Sequence, residues 1–142
     1  MTAKGKKLGA YVMVIAPEGF VFIEKPGRGR GYEFPGGHGE DDDESLAEVG
    51  ERELFQETGV HVLPEKMRLI DERVFPTHTT GIFLAQISHL PKTLKKVGDD
   101  GEIVHVVRQR ESASIRDKIF PPHRESFDKV LRMLNSSIRA NK

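Results

Sequence analysis

Apolar positions along the 142-residue chain follow two spacings, and the switches between them mark out the elements. Leu8 to Ala16 is a nearly unbroken run rich in β-branched residues, the pattern of a strand covered on both faces. Pro17-Glu18-Gly19 has turn chemistry, and Phe20 to Glu24 reads as a short strand returning in a hairpin. Val60 to Leu63, Met67 to Phe75, Gly81 to Ser88 and Glu102 to Val107 are also β-rich. The polar stretch Leu90 to Gly101, ending in an Asp99-Asp100-Gly101 turn, separates the last two. Helical spacing occurs twice. The first helix is predicted from about Ser45 to Thr58, with Ser45 and Glu48 forming a capping box and Gly59 as the stop. In the second, beginning near Pro122, Phe127, Val130, Leu131, Leu134 and Ile138 share one face suited to core packing. Strands, a helix, more strands and a closing helix predict an α/β (α+β) fold, a mixed central sheet with helices on both faces.

The length suits one domain over residues 1–142, with residues 1–7 expected to form a flexible basic tail. No apolar run approaches the roughly 18 residues of a membrane span, and the basic start is not followed by the apolar core of a signal peptide. Cysteine is absent, which excludes disulfides, thiolate zinc sites and cysteine nucleophiles. A cytoplasmic location is the expectation that goes with this composition. Charge sharpens the picture. The chain carries 22 Lys and Arg against 22 Asp and Glu, a formal net charge of zero, which argues against a nucleic acid polymer as partner, as the short apolar runs argue against a membrane. The charges are segregated, however. Residues 40–57 hold nine acids and one base, so the remainder is as positive as this segment is negative.

On the first predicted helix, residues at 100° intervals place Glu53, Gln56, Glu57 and Gly50 within one sector, away from Leu54 and Phe55. Like charges four apart repel, and an interior glycine costs about 1 kcal/mol relative to alanine. A divalent cation held by Glu53 and Glu57 would turn that repulsion into ligation. Gly50 would then admit either a metal–phosphate group or a neighbouring strand. Oxygen donors without His or Cys favour Mg²⁺, or Mn²⁺, over zinc. A solvated acidic face is the plain alternative.

The surrounding residues distinguish these readings. Gly36-Gly37-His38-Gly39-Glu40-Asp41-Asp42-Asp43-Glu44, followed by Arg52-Glu53-Leu54-Phe55-Gln56-Glu57-Thr58-Gly59-Val60, resembles the Nudix box of the Nudix (MutT-like) hydrolases. Gly37 stands at the opening glycine, Glu44 at the first glutamate, Arg52-Glu53-Leu54 at the central triplet, and Glu57, Gly59 and Val60 at the close. There are two departures. Residues 38–43 make six positions between Gly37 and Glu44 where the family has five, and Gln56 replaces the first member of a Glu pair. Glutamine still offers a carbonyl oxygen but no charge, so metal binding is expected to be weaker.

The resemblance implies a Nudix-like α/β/α sandwich. It also implies a Mg²⁺-dependent pyrophosphohydrolase that cleaves a phosphoanhydride of a nucleoside diphosphate linked to another group, or of a nucleoside triphosphate, by water attack on phosphorus. Glu53, Glu57, Gln56 and Gly37 would hold the metal. Arg52 would pair with Glu44 and fix the loop against the helix; Glu48 is an alternative partner for it. The general base would be a box glutamate or one from a later loop, with Glu102 the leading later candidate and Glu125 a weaker one. Arg28 and Arg30, and less so Lys25, stand in a glycine-rich loop where they could clamp phosphates. Tyr32 and Phe34, before Gly36 and Gly37, suit either base stacking or core packing. Neither a P-loop nor a calcium-loop pattern is present, and the six histidines read as surface or core residues. A catalytically weak nucleotide-binding module on the same fold is the alternative, supported by Gln56 and the extra loop residue. The sequence leaves open which nucleotide is used, how many metals bind and whether two copies pair.

Overall fold

The computed structural model describes residues 7–39 and 45–140, with side chains through residue 135. Glu44 lies outside the described residues. So does the expected basic tail, except for Lys7, which begins the first strand.

The strands are β1 (Lys7–Ala16), β2 (Gly19–Glu24), β3 (Tyr32–Glu33), β4 (Gly36–His38), β5 (Arg68–Val74), β6 (His78–Gln86) and β7 (Ile103–Val107). The helices are α1 (Leu46–Thr58), the single-turn α2 (Ser112–Ile115) and α3 (Pro121–Ala140). Their central member is β1. It runs parallel to β6 along nearly its whole length, from Lys7 opposite His78 to Ile15 opposite Gln86. On its other edge, its last residues pair antiparallel with β2 and its earlier ones with β4. Beyond β6 lies β5, while β7 and β3 pair with β2. The result is a mixed sheet.

The double-sided burial of β1 sets the layers. Ala10, Val12 and Val14 point to α1, where they meet clusters containing Val49 and Leu54. Met13 and Ile15 point the other way, into a cluster with Phe20, Phe22, Phe127 and Val130. Phe127 packs edge-on against Phe20 with ring centroids 5.3 Å apart, seating α3 on the sheet. Each fully buried phenylalanine contributes on the order of 2–3 kcal/mol. The α/β/α sandwich is therefore present, with α1 on one face and α3 on the other.

Two local expectations change, and one stretch without an assignment acquires structure. Residues 60–63 form no strand: Val60 and Val62 are buried, but the segment has no ladder partner. The strand expected from Gly81 begins at His78, because β1 supplies hydrogen-bond partners that far. Residues 109–118 coil into short helical turns around Ile115, too brief to show periodicity in the sequence.

Candidate active site

The site begins with the caps of α1. Ser45 Oγ accepts from the Glu48 amide at 3.2 Å, and Glu48 Oε1 accepts from the Ser45 amide at 3.0 Å. At the other end, Gly59 takes φ +80° and its amide donates to the Phe55 carbonyl at 2.9 Å. These local bonds fix the span of the helix and hence the positions of Glu53 and Glu57, one turn apart.

Strand β4 meets that face at two glycines. The Gly36 amide donates to Glu57 Oε1 at 2.6 Å, a charge-assisted contact when the carboxylate is ionised. At Gly37 a β-carbon would lie 2.6 Å from Cδ of Glu53, so the carboxylate occupies the space a side chain would need. Gly50 serves the sheet rather than a ligand: its missing β-carbon would stand 3.1 Å from Val12 Cγ2. Of its two readings, strand approach is the one observed. Arg52 donates to Glu53 Oε1 at 3.1 Å and to the His38 carbonyl at 3.2 Å, tying α1 to β4. Its expected partner Glu44 is outside the described residues, and Glu48 is committed to the capping box.

Glu102 arrives from far along the chain. The connection before β7 is fastened to the end of α1: Lys95 donates from its backbone to Thr58 O and from Nζ to Gln56 O, and the Asp99 amide also reaches Gln56 O. Gly98 packs on the Glu57 backbone, its absent β-carbon only 2.7 Å from Glu57 O and 2.6 Å from Glu102 Oε1. This brings Glu102 into hydrogen-bond contact with Glu57, and both are buried. Burial, followed by the neighbouring charges of Glu102 and Glu53, pushes the Glu57 carboxyl up to about 9, against the opposing pull of the Gly36 amide. This environment favours the protonated form of Glu57, and a cation in the same place would favour the ionised form. Among the described residues no group of three or more His, Cys, Asp or Glu is gathered around one point to hold a metal. Gln56 is half-buried beside this pair, with its backbone carbonyl engaged by the connection.

The basic loop divides in two. Lys25 and Arg28 line a cavity of about 370 Å³ together with Asp100 and Glu102, next to the acidic pair. Arg30 turns elsewhere, 3.7 Å from Glu33 and stacked 5.3 Å from the Phe120 ring centre. Phe34 is fully buried against Phe22 and His123, so it belongs to the core and is not a stacking platform. Tyr32 is half-buried, its ring stacked on His105 at 4.5 Å. Glu125 is 84% exposed and faces Arg73 at 3.9 Å, remote from Glu57 in its contacts, which removes it as a candidate base.

Some residues escaped the sequence reading. Glu33 is buried, with Oε2 lacking a hydrogen bond, inside the short run that leads to Gly36. On the opposite sheet face, Tyr11, Asp71, Arg73 and His123 converge on a further cavity. No local motif connects them, because they come from three separate elements.

A family model described as NUDIX domain matches residues 5–131. No protein of curated function matches the sequence significantly. Among solved structures, a mutator MutT protein from Bacillus halodurans has a TM-score of 0.67 at 20% identity, over 88% of this chain and 82% of that one. A MutT/nudix family protein from Enterococcus faecalis has a TM-score of 0.59 at 23% identity, over 71% of this chain and 43% of that one. A bifunctional NMN adenylyltransferase/ADP ribose pyrophosphatase from Francisella tularensis, complexed with AMP and a manganese ion, has a TM-score of 0.64 at 20% identity, over 90% of this chain and 41% of that one. The chain thus spans about two fifths of the length of these last two proteins. At such identities the likeness shows the fold. No helix among the described residues is long and apolar enough to cross a membrane.

Proposed function

The chain belongs to the Nudix family of hydrolases, and on that premise we propose that it is a divalent-cation-dependent pyrophosphohydrolase. Its substrate would be a nucleoside diphosphate linked to another group, or a nucleoside triphosphate, with water attacking phosphorus. The observation that carries this reading is the buried Glu57–Glu102 contact beside Glu53, facing the cavity lined by Lys25 and Arg28.

The donor set fits Mg²⁺ or Mn²⁺. It consists of oxygen atoms only, and Glu57 and Glu102 stand in contact with no cation side chain between them. Glu53 and Glu57 would hold the metal, with Gln56 contributing an uncharged oxygen. When bound, the metal supplies neutralisation of phosphate oxygens and a lowered pKa for the attacking water. The chain's own residues do the rest. The Gly36 amide orients Glu57, Arg52 orients Glu53 against β4, and Lys25 and Arg28 receive phosphate charge. Glu102, beside Glu57, would take the proton of the attacking water. The AMP and manganese of the Francisella protein support a small nucleotide and a divalent cation here too.

The test is product release from a nucleotide panel in Mg²⁺, followed by mass spectrometry. Wild-type protein should release a nucleoside monophosphate with a second phosphorylated product. Glu57→Gln should lower kcat/KM by about 10²–10⁴-fold while far-ultraviolet dichroism is retained. The reading fails if nothing turns over with Mg²⁺ or Mn²⁺, or if Glu57→Gln is as fast as wild type.

A further inference from the structure

Residues 87–102 connect β6 to β7, form no helix or strand of their own, and end at Glu102. A connection of this kind holds one position only where something fastens it. The fastening here is the C-terminal end of α1. A helix leaves its last carbonyls without intrahelical partners, and that end carries the negative pole of its dipole. Cations in the last turn ordinarily offset it, but the last turn of α1 has no basic residue.

Lys95 supplies the cation from outside the helix. Its Nζ donates to the Gln56 carbonyl at 2.9 Å, and its backbone amide donates to the Thr58 carbonyl at 2.8 Å. The same ammonium donates to Asp99 Oδ1 at 2.7 Å, so one charge joins α1 to a turn four residues further along the chain. Lys95 is half-buried, which screens this arrangement less than an ion pair standing in water. A further bond from the turn to α1, from the Asp99 amide to the Gln56 carbonyl, is long at 3.3 Å and shares its acceptor with Lys95.

From the turn the constraint passes to Glu102 through short backbone bonds. The Gly98 amide donates to the Glu102 carbonyl at 2.8 Å, and the Gly101 amide to the Gly98 carbonyl at 3.0 Å. The Asp100 amide donates to Glu102 Oε1 at 3.1 Å, which orients the carboxylate itself. Gly98 is pressed against the helix, where a β-carbon would stand 3.0 Å from Glu57 Cα. The turn thus orients Glu102, and Lys95 orients the turn.

We propose that Lys95 is a positioning residue: its ammonium locks the turn of residues 98–101 to the end of α1 and so fixes the Glu102 carboxylate against Glu57. The lock follows from these contacts, while its effect on rate rests on the pyrophosphohydrolase reading with Glu102 as the base.

Two variants test this. Lys95→Met keeps the stem and removes the charge, whereas Lys95→Arg keeps a cation. Hydrogen exchange followed by mass spectrometry reads the lock directly. In Lys95→Met the amides of residues 98–101 should exchange about tenfold faster, with those of β1 unchanged and Lys95→Arg close to wild type. In turnover with Mg²⁺, Lys95→Met should lower kcat about 10–100-fold at a KM near that of wild type, and Lys95→Arg should restore most of the rate. Mn²⁺ binding, followed by electron paramagnetic resonance, should be unchanged, because Lys95 meets a backbone carbonyl of α1 and neither Glu53 nor Glu57. The loss of kcat should disappear in a Glu102→Gln background, as for two residues acting as one unit. The proposal is overturned if residues 98–101 exchange as in wild type, if the loss of kcat persists in full on Glu102→Gln, or if Mn²⁺ affinity falls in step with kcat. Faster exchange that Lys95→Arg restores, in a protein that turns nothing over, would keep the lock and remove the hydrolase. Turnover in which Lys95→Met matches wild type in both exchange and kcat would do the reverse.

Discussion

A methyl group at residue 37 would fall 2.6 Å from Cδ of Glu53, whereas one at residue 36 would fall 2.2 Å from the Ala10 carbonyl. The two neighbouring glycines therefore serve different ends. At Gly36 the obstacle is backbone of the central strand, which cannot move without disrupting β1. At Gly37 it is the end of a side chain, which can swing aside. Gly37→Ala should leave the unfolding free energy within about 1 kcal/mol of wild type, so that the thermal midpoint shifts little. Its kcat should fall about 10²-fold, because a carboxylate displaced by an ångström no longer meets its partners. A melt and a turnover assay on the same sample separate the effects; equal loss of both would place Gly37 in the fold rather than the site.

At the scale of elements, α1 carries its boundaries in its own sequence. Ser45→Ala removes one bond of the capping box and should cost about 0.5–2 kcal/mol in urea unfolding, with kcat changed far less than by Glu57→Gln. No change in the denaturation midpoint would show that tertiary packing alone defines the helix start. The same locality explains what could be read beforehand. The hairpin of β1 and β2, both ends of α1 and the Gly36, Gly37, Glu53 and Glu57 constellation depend on residues within a few turns of chain. The expected strand at residues 60–63 misled because alternation reports burial, and Val60 and Val62 are buried without a ladder partner. Phe34 was ambiguous for a related reason: an aromatic beside a glycine pair looks the same whether it faces a ligand or the core. Glu102 could be suspected from its turn, but its contact with Glu57 depends on Lys95, Gly98 and Asp99 folding onto the end of α1. The cavity around His123 had no sequence signature, since β1, β5 and α3 meet there only through the parallel pairing of β1 with β6 and the docking of α3.

Across the whole molecule, the sheet separates two kinds of chemistry. One face carries the acidic helix, with Glu48, Glu51, Glu53 and Glu57 against the single base Arg52. The other holds the buried imidazole of His123 in the first turn of α3, a helix anchored by Arg116 to Asp128 at 2.8 and 2.7 Å and by Lys129 to Asp71 at 3.0 Å. Stability should register that buried imidazole. In the unfolded chain His123 titrates near 6.5, and in the fold at about 3. Between those values the unfolded chain binds the extra proton. The contribution is therefore absent above 6.5, erodes stability as pH falls below it by up to ~1.4 kcal/mol per unit, and levels off near 3. Paired carboxylates such as Asp71 and Asp128, held below their usual range, also lose stability in acid, so wild type alone does not isolate the histidine. The comparison with His123→Asn does, because asparagine Oδ1 can replace Nδ1 as acceptor for the Phe34 amide while the titration is lost. Its stability relative to wild type should rise steadily from pH 7 to pH 4.5 in urea unfolding. A difference independent of pH would mean that His123 is protonated, or free to protonate, within the folded protein.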